Sequence, residues 1–183
     1  MLLQTDTCNF GEAAPDFDLQ TADGQRFTRD TVMGENGMLI AFICNHCPYV
    51  VDLIDRLAAD MKTLEARGVG CAAIMSNDYA AYPADRPEMM HRFADAHGLA
   101  APYLVDDTQS VGRAYGAVCT PDFFGYDASG GLQYRGRLDD VPMRGDPSGR
   151  TPDLVHAMTQ VARTGTGPSQ QTPSMGCSIK WRS

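Results

Sequence analysis

Two cysteines, Cys44 and Cys47, stand three residues apart where an apolar run gives way to a helical pattern, and this junction constrains the chain more than any other feature. Met38 to Ile43 is a continuous apolar run of strand length, suited to a buried central strand. From Pro48 onward Val50, Leu53, Ile54, Leu57, Met61 and Leu64 recur at three- and four-residue spacing until Gly68, which predicts a helix of about five turns. Pro48 fits in the first turn, where its missing N–H is not needed. The dithiol is thereby expected at a helix N-terminus, where unpaired backbone N–H groups and the positive end of the dipole favour a thiolate. A free cysteine titrates near 8.5, and thiols in such motifs fall to roughly 3.5 to 7.5. His46, as imidazolium or hydrogen-bond donor, is expected to stabilise the thiolate and make the disulfide form more oxidising. Asn45 is placed either to hydrogen-bond sulfur or to cap the helix.

A chain of 183 residues with a formal charge of −8 suits one domain with a sizeable core and argues against nucleic acid or an anionic membrane as partner. We expect a single domain over 1–183, with a core at about 9–163 and a tail at 164–183. Six cysteines are about 3% of the residues, short of the roughly 8–10% of a disulfide scaffold. The start, Met1 to Asp6, has no basic segment followed by an apolar one, so the expected compartment is the cytosol. There a CxxC beside a strand–helix pattern reads as redox-active or metal-binding.

Elsewhere, Asp23-Gly24 between short alternating segments predicts an N-terminal hairpin. Val69 to Met75 is a second buried strand, with Cys71 as a small core residue. Asp85-Arg86-Pro87-Glu88 has capping-box spacing and predicts a helix to about His97, closed by Gly98. Tyr103 to Val105 is a short strand and Thr108 to Tyr115 a short helix. Ala117 to Phe124 reads as an apolar strand interrupted by Pro121, and Phe123–Tyr126 with Leu132–Arg137 as a hairpin. Thr151-Pro152-Asp153 reads as an N-cap with proline at the first helical position, opening a last helix. The segment from Met175 to Trp181 carries the only tryptophan and is expected to pack back on the domain.

This order of elements resembles the thioredoxin fold over about residues 9–163. More narrowly, Gly11 to Leu19, Cys44-Asn45-His46-Cys47-Pro48-Tyr49-Val50, Cys119-Thr120-Pro121-Asp122-Phe123-Phe124 and Gly176-Cys177-Ser178-Ile179-Lys180-Trp181 resemble peroxiredoxin-like members of the thioredoxin family, grouped with the alkyl hydroperoxide reductase and thiol-specific antioxidant proteins. The resemblance implies an α/β fold with a central mixed β-sheet flanked by helices, an N-terminal β-hairpin extension and a packed C-terminal tail. It implies that Cys44 is the attacking thiol and Cys47 the resolving one. It also implies that Pro121 is cis and faces the dithiol, with Thr120 offering backbone groups to an incoming chain.

The expected activity is thiol–disulfide exchange with protein or small-molecule disulfides and thiols, with no organic cofactor and an unidentified electron donor. Peroxide reduction, with Cys47 peroxidatic and Cys44 resolving, is the alternative. Peroxiredoxins place a threonine and a proline three and seven residues before the peroxidatic cysteine, and here those positions hold Cys44 and Ile40. Arg135, Arg137 and Arg144 are available for a peroxide, yet no motif places one at sulfur. A non-catalytic Cu(I)- or Zn-binding module is a third reading, weakened for zinc by the lack of further paired ligands. Cys119 and Cys177 are candidates for additional thiols, with packing as the competing reading; Cys8 is assigned no role. His91, His97 and His156 lie in helical patterns as surface or packing residues.

Overall fold

The computed structural model describes residues 1–183. In chain order its strands and helices are β1 (Leu2–Gln4), β2 (Asp18–Thr21), β3 (Arg26–Thr28), α1 (Arg29–Val32), β4 (Gly37–Phe42), α2 (Pro48–Glu65) and β5 (Val69–Met75). There follow α3 (Pro87–His97), β6 (Tyr103–Val105), α4 (Ser110–Tyr115), β7 (Cys119–Thr120), β8 (Asp122–Tyr126), β9 (Leu132–Tyr134), α5 (Asp153–Thr164) and β10 (Met175–Ser178). A short 3-10 turn, Pro83–Asp85, precedes α3.

The apolar run before Cys44 becomes β4, buried along its whole length. Side chains alternate across a strand, so Leu39, Ala41 and Ile43 join one apolar cluster while Met38, Ile40 and Phe42 join another. The first cluster holds the inner faces of α2 and α5, including Ile54, Leu57, Leu154 and Met158; the second holds Phe17, Val32, Val111, Tyr115 and Ile179. Each fully buried aliphatic side chain of α2 stabilises the fold by about 1.5–3 kcal/mol. The seven-stranded sheet runs β3-β2-β6-β5-β4-β8-β9. Its centre, β4, β5 and β6, is parallel, and β8, β9, β2 and β3 are antiparallel to their neighbours. The mixed sheet with helices on both faces agrees with the sequence expectation. The N-terminal hairpin β2–β3 extends this sheet through β6 rather than standing apart from it.

Three local expectations are corrected. Asp85 does not cap α3: Arg86 is the N-cap residue and no side chain caps that helix, because the Asp85 carboxylate turns instead into the loop that carries the CxxC motif. Pro152, not Thr151, is the N-cap residue of α5. The expected strand around Pro121 divides into β7 and β8, which belong to different sheets, with a cis Thr120–Pro121 bond between them. At the other end of α3, Gly98 takes φ +63°, a left-handed conformation open to glycine without penalty.

The tail packs back as expected. Strand β10 lies between β1 and β7 in a second, three-stranded antiparallel sheet. Trp181 lies 4.4 Å beneath the Arg113 guanidinium, and Ile179 is buried in the second cluster. No helix is long and apolar enough to cross a membrane.

Candidate functional site: a buried dithiol under the C-terminal strand

Strand β4 delivers Cys44, and Cys47 is the N-cap residue of α2, with Pro48 opening the first turn. The Cys47 carbonyl accepts the backbone N–H groups of Val50 and Val51 at 3.0 and 2.9 Å, which sets its sulfur at the positive end of an 18-residue helix. Cys44 and Cys47 are 1% and 0% exposed. Thr120, immediately before the cis bond, meets both. Its Oγ1 is 3.4 Å from the Cys44 sulfur, and its carbonyl oxygen is 3.1 Å from the Cys47 sulfur, accepting that thiol's hydrogen when it is protonated.

The two thiols differ in charge preference. Cys47 is pushed down to about 4, chiefly by the hydrogen bond from the Cys44 thiol; burial opposes this, and the Thr120 side chain and the backbone N–H groups of Cys177 and Val50 assist it. Cys44 is pushed up, first by that same hydrogen bond, then by burial, then by the nearby Asp85 carboxylate. Position at the N-terminus of α2 favours a thiolate on Cys47 and the neighbouring buried carboxylate disfavours one on Cys44, while the Thr120 carbonyl against the Cys47 sulfur favours its protonated form. Burial and charge thus favour the thiolate on Cys47 over Cys44, whereas the resemblance implies Cys44 as the attacking thiol.

The residues between the cysteines serve the loop rather than the sulfurs. His46 Nδ1 donates to Asp85 Oδ2 at 2.7 Å, and its ring stacks on Tyr82 at a centroid distance of 5.4 Å. Asn45 neither caps α2 nor bonds sulfur. Its backbone N–H donates to Asp85 Oδ1 at 2.8 Å, its Nδ2 donates to the Ala84 carbonyl at 2.9 Å, and its Oδ1 accepts from the Tyr103 hydroxyl at 3.0 Å. Asn77 Nδ2 gives Asp85 a third hydrogen bond at 2.9 Å, while Asn77 Oδ1 accepts the Lys180 N–H of the tail at 2.8 Å. Sequence reasoning missed Asp85 because its spacing imitates a capping box. A burial of 0% with three donors around it is visible only after folding.

Ligand atoms of Cys44, His46 and Asp85 lie within 4.8 Å of one another, so these three are the residues that a metal ion would find here. The Asp85 carboxylate is already occupied by protein donors. Arg135 donates to Asp122 Oδ2 at 3.1 Å and to the Gly116 carbonyl at 2.9 Å, and Arg137 pairs with Asp153 at 2.6 Å. Both guanidinium groups are thus committed to carboxylates. Arg144 anchors its loop through its backbone N–H, which donates to Asp52 Oδ1 at 2.7 Å.

Of the remaining thiols, Cys177 on β10 lies opposite Thr120 and is half-buried, next to the dithiol. Cys119 is 0% exposed, its sulfur is 3.5 Å from the Pro121 carbonyl, and burial pushes it up to about 12. Cys71 is a buried core residue whose thiol faces the Met61 and Val69 carbonyls, and burial pushes it up. Cys8 is half-buried and pushed up to about 11 by burial. A groove of about 340 Å³ flanks the site, lined in part by Tyr49, Leu138, Val141, Pro121, Ser174 and Met175.

A mixed sheet covered on both faces, a dithiol at the start of the helix after its central strand and a cis-proline against the sulfurs define a thioredoxin-like fold with a thiol site. The chain belongs to the AhpC/TSA family, whose model matches residues 10–135. It is similar to an uncharacterised conserved protein from Geobacillus kaustophilus (37% identity, TM-score 0.92), covering 100% of this chain and 97% of that one. A hypothetical protein from Sinorhizobium meliloti 1021 is similar at 38% identity and TM-score 0.90, covering 98% of each chain. A thiol:disulfide interchange protein of the thioredoxin family from Chlorobium tepidum TLS shares the fold at 22% identity and TM-score 0.58, over 74% of this chain and 88% of that one. A search of curated proteins finds no match.

Proposed function

We propose that the protein is a thiol–disulfide oxidoreductase in which Cys44 and Cys47 form the exchanging pair. The observation that carries this reading is Thr120, within 3.4 Å of both sulfurs at the residue before a cis-proline, with Cys47 at the start of α2. In the reaction, the dithiol passes two electrons and two protons to a disulfide R–S–S–R′, giving RSH, R′SH and the Cys44–Cys47 disulfide. A depressed Cys47 stabilises the reduced form and so makes the disulfide a stronger oxidant. The substrates implied are protein or small-molecule disulfides and thiols.

Peroxide reduction is the second reading, favoured by family membership and by the same thiolate on Cys47. There Cys47 is oxidised to a sulfenic acid, and Cys44 condenses with it, releasing water and forming the same disulfide. Against it, Cys44 and Ile40 occupy the positions of the peroxidase threonine and proline, and Arg135 and Arg137 are bound to carboxylates.

One comparison tests the choice: the rate of thiol loss when the reduced protein meets hydrogen peroxide, against the rate with oxidised glutathione. Slow peroxide oxidation and ready disulfide exchange are expected. Oxidation of Cys47 by peroxide orders of magnitude faster than that of a free cysteine, followed by bridging to Cys44, would instead establish a peroxidase.

A further inference from the structure

We propose that Cys177 is a third thiol of the exchange reaction, carrying electrons between solvent and the buried Cys44–Cys47 pair. The inference rests on the exchange reading above and supplies the access route that reading needs. Neither Cys44 nor Cys47 reaches solvent, at 1% and 0% exposure, so an external thiol or disulfide has no direct approach to either sulfur. The cover over them is β10, and β10 is fastened to the site itself.

Four contacts fasten it. Strand β10 pairs antiparallel with β7, Cys177 opposite Thr120 and Ser178 opposite Cys119. Ser174 Oγ donates to the Pro121 carbonyl at 3.0 Å. The Lys180 N–H donates to Asn77, which also holds Asp85. At Gly176 the strand passes so close to the Thr120 carbonyl that any Cβ there would collide with it.

This register decides what the strand presents. Directly opposed residues of an antiparallel pair project to the same face, with Cβ atoms about 4.5–5.5 Å apart. Cys177 therefore shares a face with Thr120, the residue whose hydroxyl meets Cys44 and whose carbonyl meets Cys47. Cys177 packs against the apolar cluster that holds Cys44 and Cys47, and it is near enough to Cys47 for each to shift the other's titration. Of the three sulfurs gathered at Thr120, Cys177 is the half-buried one and the other two are buried.

The relay balances as two exchanges. In the oxidised protein the Cys177 thiol loses its proton and its sulfur attacks Cys47, breaking the Cys44–Cys47 bond; Cys44 leaves and takes up the proton. An external thiolate then attacks the half-buried Cys177 sulfur of the Cys47–Cys177 disulfide, expelling Cys47 as a thiolate, and a second external thiol releases Cys177. Two external thiols become one disulfide, and the dithiol is recovered. Cys47 suits the leaving role, since low-pKa thiols depart faster. The same steps reversed carry electrons outward to a disulfide.

Two experiments on the 183-residue chain test this. Cys44→Ser protein treated with oxidised glutathione and mapped by peptide mass spectrometry should contain a Cys47–Cys177 cross-link; glutathione left on Cys47 with no such cross-link would overturn the proposal. Separately, reduction of the Cys44–Cys47 disulfide by glutathione should slow about tenfold or more in both Cys177→Ser and Cys177→Ala, with unchanged circular dichroism. Equal or faster reduction overturns the relay while leaving the dithiol reading intact. Failure of the unsubstituted protein to form any Cys44–Cys47 disulfide overturns the exchange reading and the relay with it.

Discussion

Asp85 holds His46 from beneath: its fully buried carboxylate accepts the imidazole Nδ1–H at 2.7 Å while also accepting from Asn45 and Asn77. The histidine between the cysteines is therefore bound to a carboxylate, and that carboxylate stands near Cys44 and raises its pKa. One buried acid thus shapes the CxxC loop and biases the dithiol toward a thiolate on Cys47.

Asp85→Asn tests this bias. An amide keeps the size of the side chain but removes the charge, so Cys44 should titrate lower, seen as a shift in the ultraviolet thiolate titration of Cys47→Ser protein. Part of the hydrogen-bonded seat is lost as well. Chemical denaturation should show a loss of about 1–3 kcal/mol, the cost of an unsatisfied buried polar group.

The depressed Cys47 has a signed consequence for pH. Its folded pKa of about 4 lies below the 9.0 of an unperturbed thiol, so it stabilises the reduced protein fully above pH 9.0, and that stability is lost progressively as pH falls toward 4. Within this window reduction of the disulfide takes up one proton for two electrons. The reduction potential should therefore change by about 30 mV per pH unit, and a slope of about 60 mV would mean that both thiols stay protonated.

Gly176→Ala should loosen β10, because the added Cβ collides with the Thr120 carbonyl. Alkylation of Cys47 by iodoacetamide, located by mass spectrometry, is expected to accelerate severalfold. An unchanged rate would mean that β10 does not limit access.

Arg135→Met should destabilise the fold by about 3–5 kcal/mol, since it leaves the Asp122 carboxylate buried without its partner. Burial pushes Asp122 up to about 6 and Arg135 opposes this, so the variant should drive Asp122 higher still. With a folded pKa above the unfolded 3.8, this carboxyl contributes its stability below pH 3.8 and loses it as pH rises through about 6. Denaturation curves at several pH values read both effects.

What was legible in the sequence follows from how local each determinant is. The apolar run of β4, the spacing from Val50 to Leu64 in α2 and the turn at Asp23-Gly24 each report on their own few residues, and each formed where expected. The juxtaposition of the CxxC loop with Thr120 and Pro121 came from a family resemblance, since no local pattern links residues 76 apart. Asp85 was misread because capping-box spacing describes a helix start, and only the folded loop shows its carboxylate turned toward Asn45 and His46. The register of β10 on β7, which brings Cys177 opposite Thr120, depends on long-range backbone pairing that a four-residue strand does not announce.

The most direct test of the account is a redox titration of the 183-residue chain in glutathione buffers, read by alkylation and mass spectrometry of the peptide holding Cys44 and Cys47. The account predicts a single two-electron transition in which both thiols vanish together and the peptide loses two hydrogens, with Cys44→Ser and Cys47→Ser each abolishing it. If both thiols stay free across the range, or the disulfide forms between other cysteines while these two remain reduced, Cys44 and Cys47 are not the exchanging pair.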